Sequence, residues 1–126
     1  MPWADASIEL EPNADMVAEA RRFLRDALAV ACGAVEAAEV LVLGANELVT
    51  NAVIHARTEF RVTVRRDRDR VRVEVIDGNS RMPQPCLAPW DATSGRGLAI
   101  IDGLGLNWGA ERHRLGKIVW VEAVLA

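Results

Sequence analysis

The sequence predicts an α/β two-layer sandwich: a mixed, mainly antiparallel sheet of about five strands with three helices on one face. Three observations carry that expectation. Two helix-period segments stand side by side early in the chain, two period-2 segments follow as a hairpin, and a second strand-like pair closes the chain after a glycine-opened helical stretch. Helices and a sheet that are each apolar on one side bury those sides against one another, and two layers are the simplest result. With 126 residues, 51% hydrophobic and 26% charged, residues 1–126 read as a single domain able to bury a core without disulfides or structural metal.

Ser7 to Leu10 alternates polar and apolar residues as a short first strand, and Asn13 after Glu11-Pro12 is a good helix N-cap. From Ala14 to Ala31, Met16, Val17, Ala20, Phe23, Leu24, Ala27, Leu28 and Ala31 recur at three and four, marking an amphipathic helix that ends near Gly33. A second helix, Val35 to Ala56, is apolar nearly all round and reads as buried. Phe60, Val62 and Val64, then Val71, Val73 and Val75, alternate with polar residues about a turn at Arg66 to Asp69. That hairpin has one face in the core and one in water. Ile76 to Ser94 has no period and far exceeds the usual loop of about four to six residues, a length that in compact domains usually marks function. Gly95 to Gly105 reads as a short helix, and Leu106 to His113 with Lys117 to Val124 as a closing antiparallel pair.

Charge and composition narrow the function. A formal net charge of −3 and a pI near 5.4 give no global attraction to phosphate backbones, and no nucleic-acid motif is recognisable, so no direct nucleic-acid partner is expected. Seven arginines lie between Arg57 and Glu74 beside four acids; they read as the wet face of the hairpin, paired across strands at small benefit. No uninterrupted apolar run nears the roughly 20 residues of a membrane span, and no basic-then-apolar signal opens the chain. A cytoplasmic protein with no membrane partner is expected. Cys32 and Cys86 lack metal-site spacing and read as unpaired thiols in a reducing compartment.

Three features carry candidate chemistry. Glu47, Asn51 and His55 stand at i, i+4 and i+8 on one stripe of the second helix; the stripe either faces water or opens onto a cleft or cation, because an ionised Glu is costly to bury alone. Val73-Glu74-Val75-Ile76-Asp77-Gly78 delivers a carboxylate at a strand end, which by itself reads as a turn start but can also accept a hydrogen bond from a ligand amine. Gly95-Arg96-Gly97 opens a helix, where side-chain-free backbone can approach a phosphate.

The order of these motifs is more specific than any one of them. An ELVTNAVIHA helix, a hairpin ending VEVIDGNS, a Pro-rich loop, GRGLAIIDGL and a WG…GKxVW tail together resemble the GHKL-type ATP-binding domain over about Glu9 to Val124. The resemblance is to its stand-alone anti-sigma factor and serine-protein kinase branch. It implies ATP and Mg²⁺ as cofactors, with Asn51 ligating the metal and Glu47 activating the attacking hydroxyl. By the same resemblance Asp77 holds the adenine amine, Gly78 begins the adenine-side loop, Gly95 and Gly97 cradle phosphates, and Arg96 adds charge there. The segment Ser80 to Ser94 corresponds to the ATP lid. His55 fits the end of the same motif, in a structural hydrogen-bonding role. The implied partners are a sigma factor and an anti-anti-sigma protein of STAS type, and the open sheet face is available to partners or to a homodimer.

Two positions depart from the family's pattern. The first glycine box would read Asp-x-Gly-x-Gly, whereas Asp77-Gly78-Asn79-Ser80 has one glycine, displaced by one position; near Lys117 the family commonly has Thr, and here Ile118 stands. A non-catalytic binding module with a degenerate nucleotide site is therefore the alternative. A histidine-kinase catalytic half is disfavoured, since the chain begins almost at the first strand.

Overall fold

Residues 4–79, 101 and 103–125 are described by the computed structural model. In chain order they form β1 (Ala4–Leu10), α1 (Asp15–Cys32), α2 (Val35–Asn51), a π-helical turn (Ala52–Ala56), β2 (Phe60–Asp67), β3 (Arg70–Asp77), β4 (Asn107–His113) and β5 (Gly116–Val124). The sheet order is β1-β2-β3-β5-β4, and all four pairings are antiparallel. The parallel component expected of a mixed sheet is absent among the described strands. A single crossover helix returns the chain to its starting end and yields a parallel neighbour; here two antiparallel helices join β1 to β2, so the direction reverses. β3 and β4 run the same way, but β5 lies between them.

The apolar periods named in the sequence build the core. Ala20, Leu24, Leu28 and Cys32 of α1 and Ala38, Leu41, Ala45, Leu48 and Val49 of α2 are buried against Phe60, Val62, Val64, Val71, Val73, Val75, Val119 and Val121 of the sheet. Gly33 closes α1 at φ +66°, its N–H reaching the Ala29 carbonyl, as expected of a left-handed cap. Asn13, by contrast, is no side-chain cap: α1 starts at Asp15, and Asn13 instead gives its carbonyl to the Met16 N–H.

α2 is buried on one face only. Val35 and Leu43 are exposed although the sequence read the helix as enclosed, because in two layers only the sheet-facing stripe is covered. The stretch Val35–Ala56, which contains an 18-residue window at a mean hydropathy of 1.4, is long and apolar enough to cross a membrane by length and composition, which a search for uninterrupted runs does not find. In this fold its buried stripe packs on β3 and β5.

The arginine-rich sheet face also differs from the expected wet surface. Thr63, Glu74 and Glu122 on that face are buried. The Arg72 guanidinium lies 4.1 Å from the Trp120 ring centroid and 3.1 Å from Glu122 Oε1, and Arg65 Nη1 is 3.6 Å from Glu74 Oε2. Long, weakly hydrated guanidinium side chains cover the carboxylates they neutralise. At the rim, Arg61 and Glu9 pair at 2.6 Å and remain exposed.

Burial pushes the Cys32 thiol above its ordinary range, with the nearby Arg66 charge opposing the shift. A folded state that holds the neutral thiol gains stability below the unfolded thiol's value of about 8–9, and loses it as pH rises through the higher folded value. Alkylation of Cys32 at pH 8, read by peptide mass, should be at least about tenfold slower in the native domain than in denaturant. Equal rates would contradict its burial.

Candidate functional site

The last turn of α2 and the end of β3 meet at one edge of the core. Asn51 is the last α-helical residue, and after it the hydrogen bonding lengthens: the Arg57 N–H reaches the Ala52 carbonyl at 3.2 Å, closing a π turn with Arg57 at φ +58°. Such turns concentrate at functional sites. Glu47 and Asn51, one helical turn apart, share a side and are each half-buried. His55 is exposed and makes no hydrogen bond among the described residues, contrary to the structural role expected of it.

Asn51 Oδ1 is buried and has no hydrogen-bond partner among the described residues. A buried amide oxygen without a donor is costly, and such exceptions call for an explanation. It suits a hard cation, which takes oxygen ligands and, in the case of Mg²⁺, is commonly held by one or two protein oxygens together with waters and substrate phosphates. No cluster of three His, Cys, Asp or Glu that could hold a metal ion is found among the described residues.

Asp77 ends β3 on the helix-facing side, in phase with Val71, Val73 and Val75, and is 5% exposed. Its Oδ1 accepts the Asn79 N–H at 2.8 Å and the Lys117 ammonium at 3.1 Å, while Lys117 also donates to the Asn79 carbonyl at 3.0 Å. The Gly78 N–H donates to Thr58 Oγ1 at 2.8 Å, and Asn79 Nδ2 makes a long 3.5 Å contact to the Ala56 carbonyl. The turn after β3 is thus tied to the π turn on one side and to β5 on the other. Asp77 and Lys117 are directly opposite in the β3–β5 register. Gly116 makes that closeness feasible: a Cβ there would lie 2.1 Å from the Asp77 carbonyl oxygen and 2.5 Å from the Gly78 carbonyl carbon.

The structure therefore brings Asp77 and Gly78 to the end of the helix that carries Glu47 and Asn51. Gly95, Arg96, Gly97 and the Ser80 to Ser94 segment lie outside the described residues. Residues 10–122 match the model of the histidine kinase-like ATPase domain. The chain belongs to that family. The matched family model describes an ATPase domain. Among solved structures it is similar to the histidine kinase domain from Erythrobacter litoralis EL346 blue-light activated histidine kinase, at 22% identity and a TM-score of 0.52 over 86% of this chain. That likeness is one of fold, and the chain covers 61% of that structure's length. No curated protein matches it in sequence.

The sequence assigned no role at this candidate site to Thr58, Asn79, Gly116 or Lys117, the last two being quoted only as part of the tail motif. One signal was available. Lys117 is the only lysine in a chain with 14 arginines, at the start of a strand that had to pair with the one ending in Asp77.

Proposed function

We propose that this domain binds Mg-ATP, sequesters a sigma factor in the cytoplasm and phosphorylates a serine or threonine of an anti-anti-sigma protein of STAS type. The observation that carries the reading is the orphaned Asn51 Oδ1 one helical turn from the Glu47 carboxylate. The motif order assigns these two residues to metal and base. Asn51 would hold the Mg²⁺, which when bound neutralises charge on the phosphates being transferred. Glu47 accepts the proton of the acceptor hydroxyl as that oxygen bonds the γ-phosphorus and the bond to the β-bridging oxygen breaks. Asp77 takes the amine of the base, Gly78 allows the loop to approach it, and Gly95, Arg96 and Gly97 are assigned to the phosphates by the same motif order.

Glu47→Ala should reduce phosphorylation of a cognate STAS-type protein by about 10²-fold or more while Mg-ADP still binds. Undiminished transfer would remove Glu47 from the role. Asn51→Leu should leave the ligand-free domain as stable as wild type, or about 1 kcal/mol more so, because a buried unsatisfied acceptor is gone. In the same variant the magnesium-dependent part of ADP affinity should vanish; if calorimetry with and without magnesium shows that part intact, Asn51 is no ligand.

A second reading, a protein-binding module without turnover, is favoured by Asp77 Oδ1 being satisfied internally by Lys117 and Asn79. Thermal unfolding separates the two. Nucleotide at about a hundred times its Kd adds about 2.7 kcal/mol to a state that binds it, so an unmoved midpoint in millimolar Mg-ADP supports the second reading.

A further inference from the structure

Asn79, where the glycine box departs from the family's pattern, and Lys117 at the start of β5 meet in one hydrogen-bonded unit with Asp77. An ammonium carries three donors. Lys117 spends two of them inside the protein, on Asp77 Oδ1 and the Asn79 carbonyl, and the third has no acceptor among the described residues. Asp77 Oδ2 likewise accepts no hydrogen bond among them. Both side chains are nearly enclosed, at 11% exposure for Lys117 and 4% for Asp77, where an unspent charged donor or acceptor costs more than it does in water. The residues face each other across β3 and β5 on the helix side of the sheet, so an acceptor and a donor that have no partner among the described residues stand beside one another.

This pair alters what the base subsite can read. A carboxylate alone accepts from the amine at position 6 of adenine and repels a carbonyl at that position. With Lys117 beside it, a 6-amine donates to Asp77 Oδ2, and a 6-carbonyl accepts from the Lys117 ammonium. We propose that Lys117 is a specificity-determining residue that extends the base subsite from adenine to 6-oxopurine nucleotides, those of hypoxanthine and guanine. The inference rests on the assignment of Asp77 to the base.

The test is calorimetric titration of Mg-ADP and Mg-IDP, which differ at the six-position of the base, into the wild-type domain and into Lys117→Gln. A glutamine amide carries two N–H donors, enough for Asp77 and the Asn79 carbonyl and none for the base. The expected result is wild-type affinity for Mg-IDP within about tenfold of that for Mg-ADP, and an IDP-to-ADP affinity ratio at least about tenfold lower in Lys117→Gln. Wild type that binds Mg-ADP but takes Mg-IDP a hundredfold or more weakly overturns the proposal, as does a ratio unchanged by the substitution, which is what a purely structural lysine would give. Should Lys117→Gln lose its native circular dichroism, the wild-type ratio decides by itself. Wild type that binds neither nucleotide overturns the nucleotide reading and this proposal with it, an outcome distinct from binding of Mg-ADP alone.

Discussion

Gly116→Ala should abolish nucleotide binding and cost the domain at least about 3 kcal/mol, the upper part of the range for overpacking a well-filled interior. The added Cβ would sit 2.1 Å from the Asp77 carbonyl oxygen, 2.5 Å from the Gly78 carbonyl carbon and 2.7 Å from the Gly78 Cα. All three are backbone atoms, so no side-chain rotation relieves the clash, and Gly116 at φ +150° is in backbone territory that L side chains rarely adopt. Either β5 separates from β3 at this end or the Asp77–Gly78 turn moves away from Thr58 and the π turn. Both distort the carboxylate assigned to the base. Denaturant unfolding with Mg-ADP calorimetry on the folded fraction checks this; a variant within about 1 kcal/mol of wild type that still binds would show that the turn and β5 separate freely.

Lys117→Met should lower stability by about 3–5 kcal/mol, the usual cost of leaving one partner of a buried ion pair behind. Asp77 is 4% exposed at its side chain and keeps, after the substitution, only the Asn79 N–H on its Oδ1. For a domain of this size that is a drop of about 10 °C or more in the unfolding midpoint. Adding Asp77→Asn to Lys117→Met should recover more than half of the loss, since the stranded charge is then gone. A single variant that loses under about 1 kcal/mol, or a double variant no better than the single, would mean that water reaches the pair and neutralises its coupling. The same reasoning bears on Asp77→Asn alone: it strands a buried ammonium as well as removing an acceptor, so loss of nucleotide binding there needs the melting curve beside it.

Periodicity made most of the architecture legible. The i, i+3 and i+4 recurrence from Met16 to Ala31 is α1, and the alternation of Phe60, Val62 and Val64 against Val71, Val73 and Val75 is the β2–β3 hairpin, because side-chain direction follows directly from local backbone geometry. Glu47 and Asn51 were readable for the same reason, being one turn apart on a helix whose span the sequence outlined. The π turn at Ala52–Ala56 was not, since it has no sequence period of its own.

Local pattern alone thus accounts for the order and type of the described elements, the core stripes and the motif order that resembles an ATP-binding domain. Tertiary structure decided three things. The direction of the strands came from the helix pair between β1 and β2, and burial of Glu74 and Glu122 came from the arginines laid over them. The third is the contact of Asp77 with Lys117, 40 positions later. That contact exists only in the register that sets the end of β3 against the start of β5, with a glycine at the crossing point. Local propensity acts over a few residues, whereas register is settled by the packing of whole faces, which is why a lysine that looked like the first residue of an ordinary strand proves to be the partner of the carboxylate at the site.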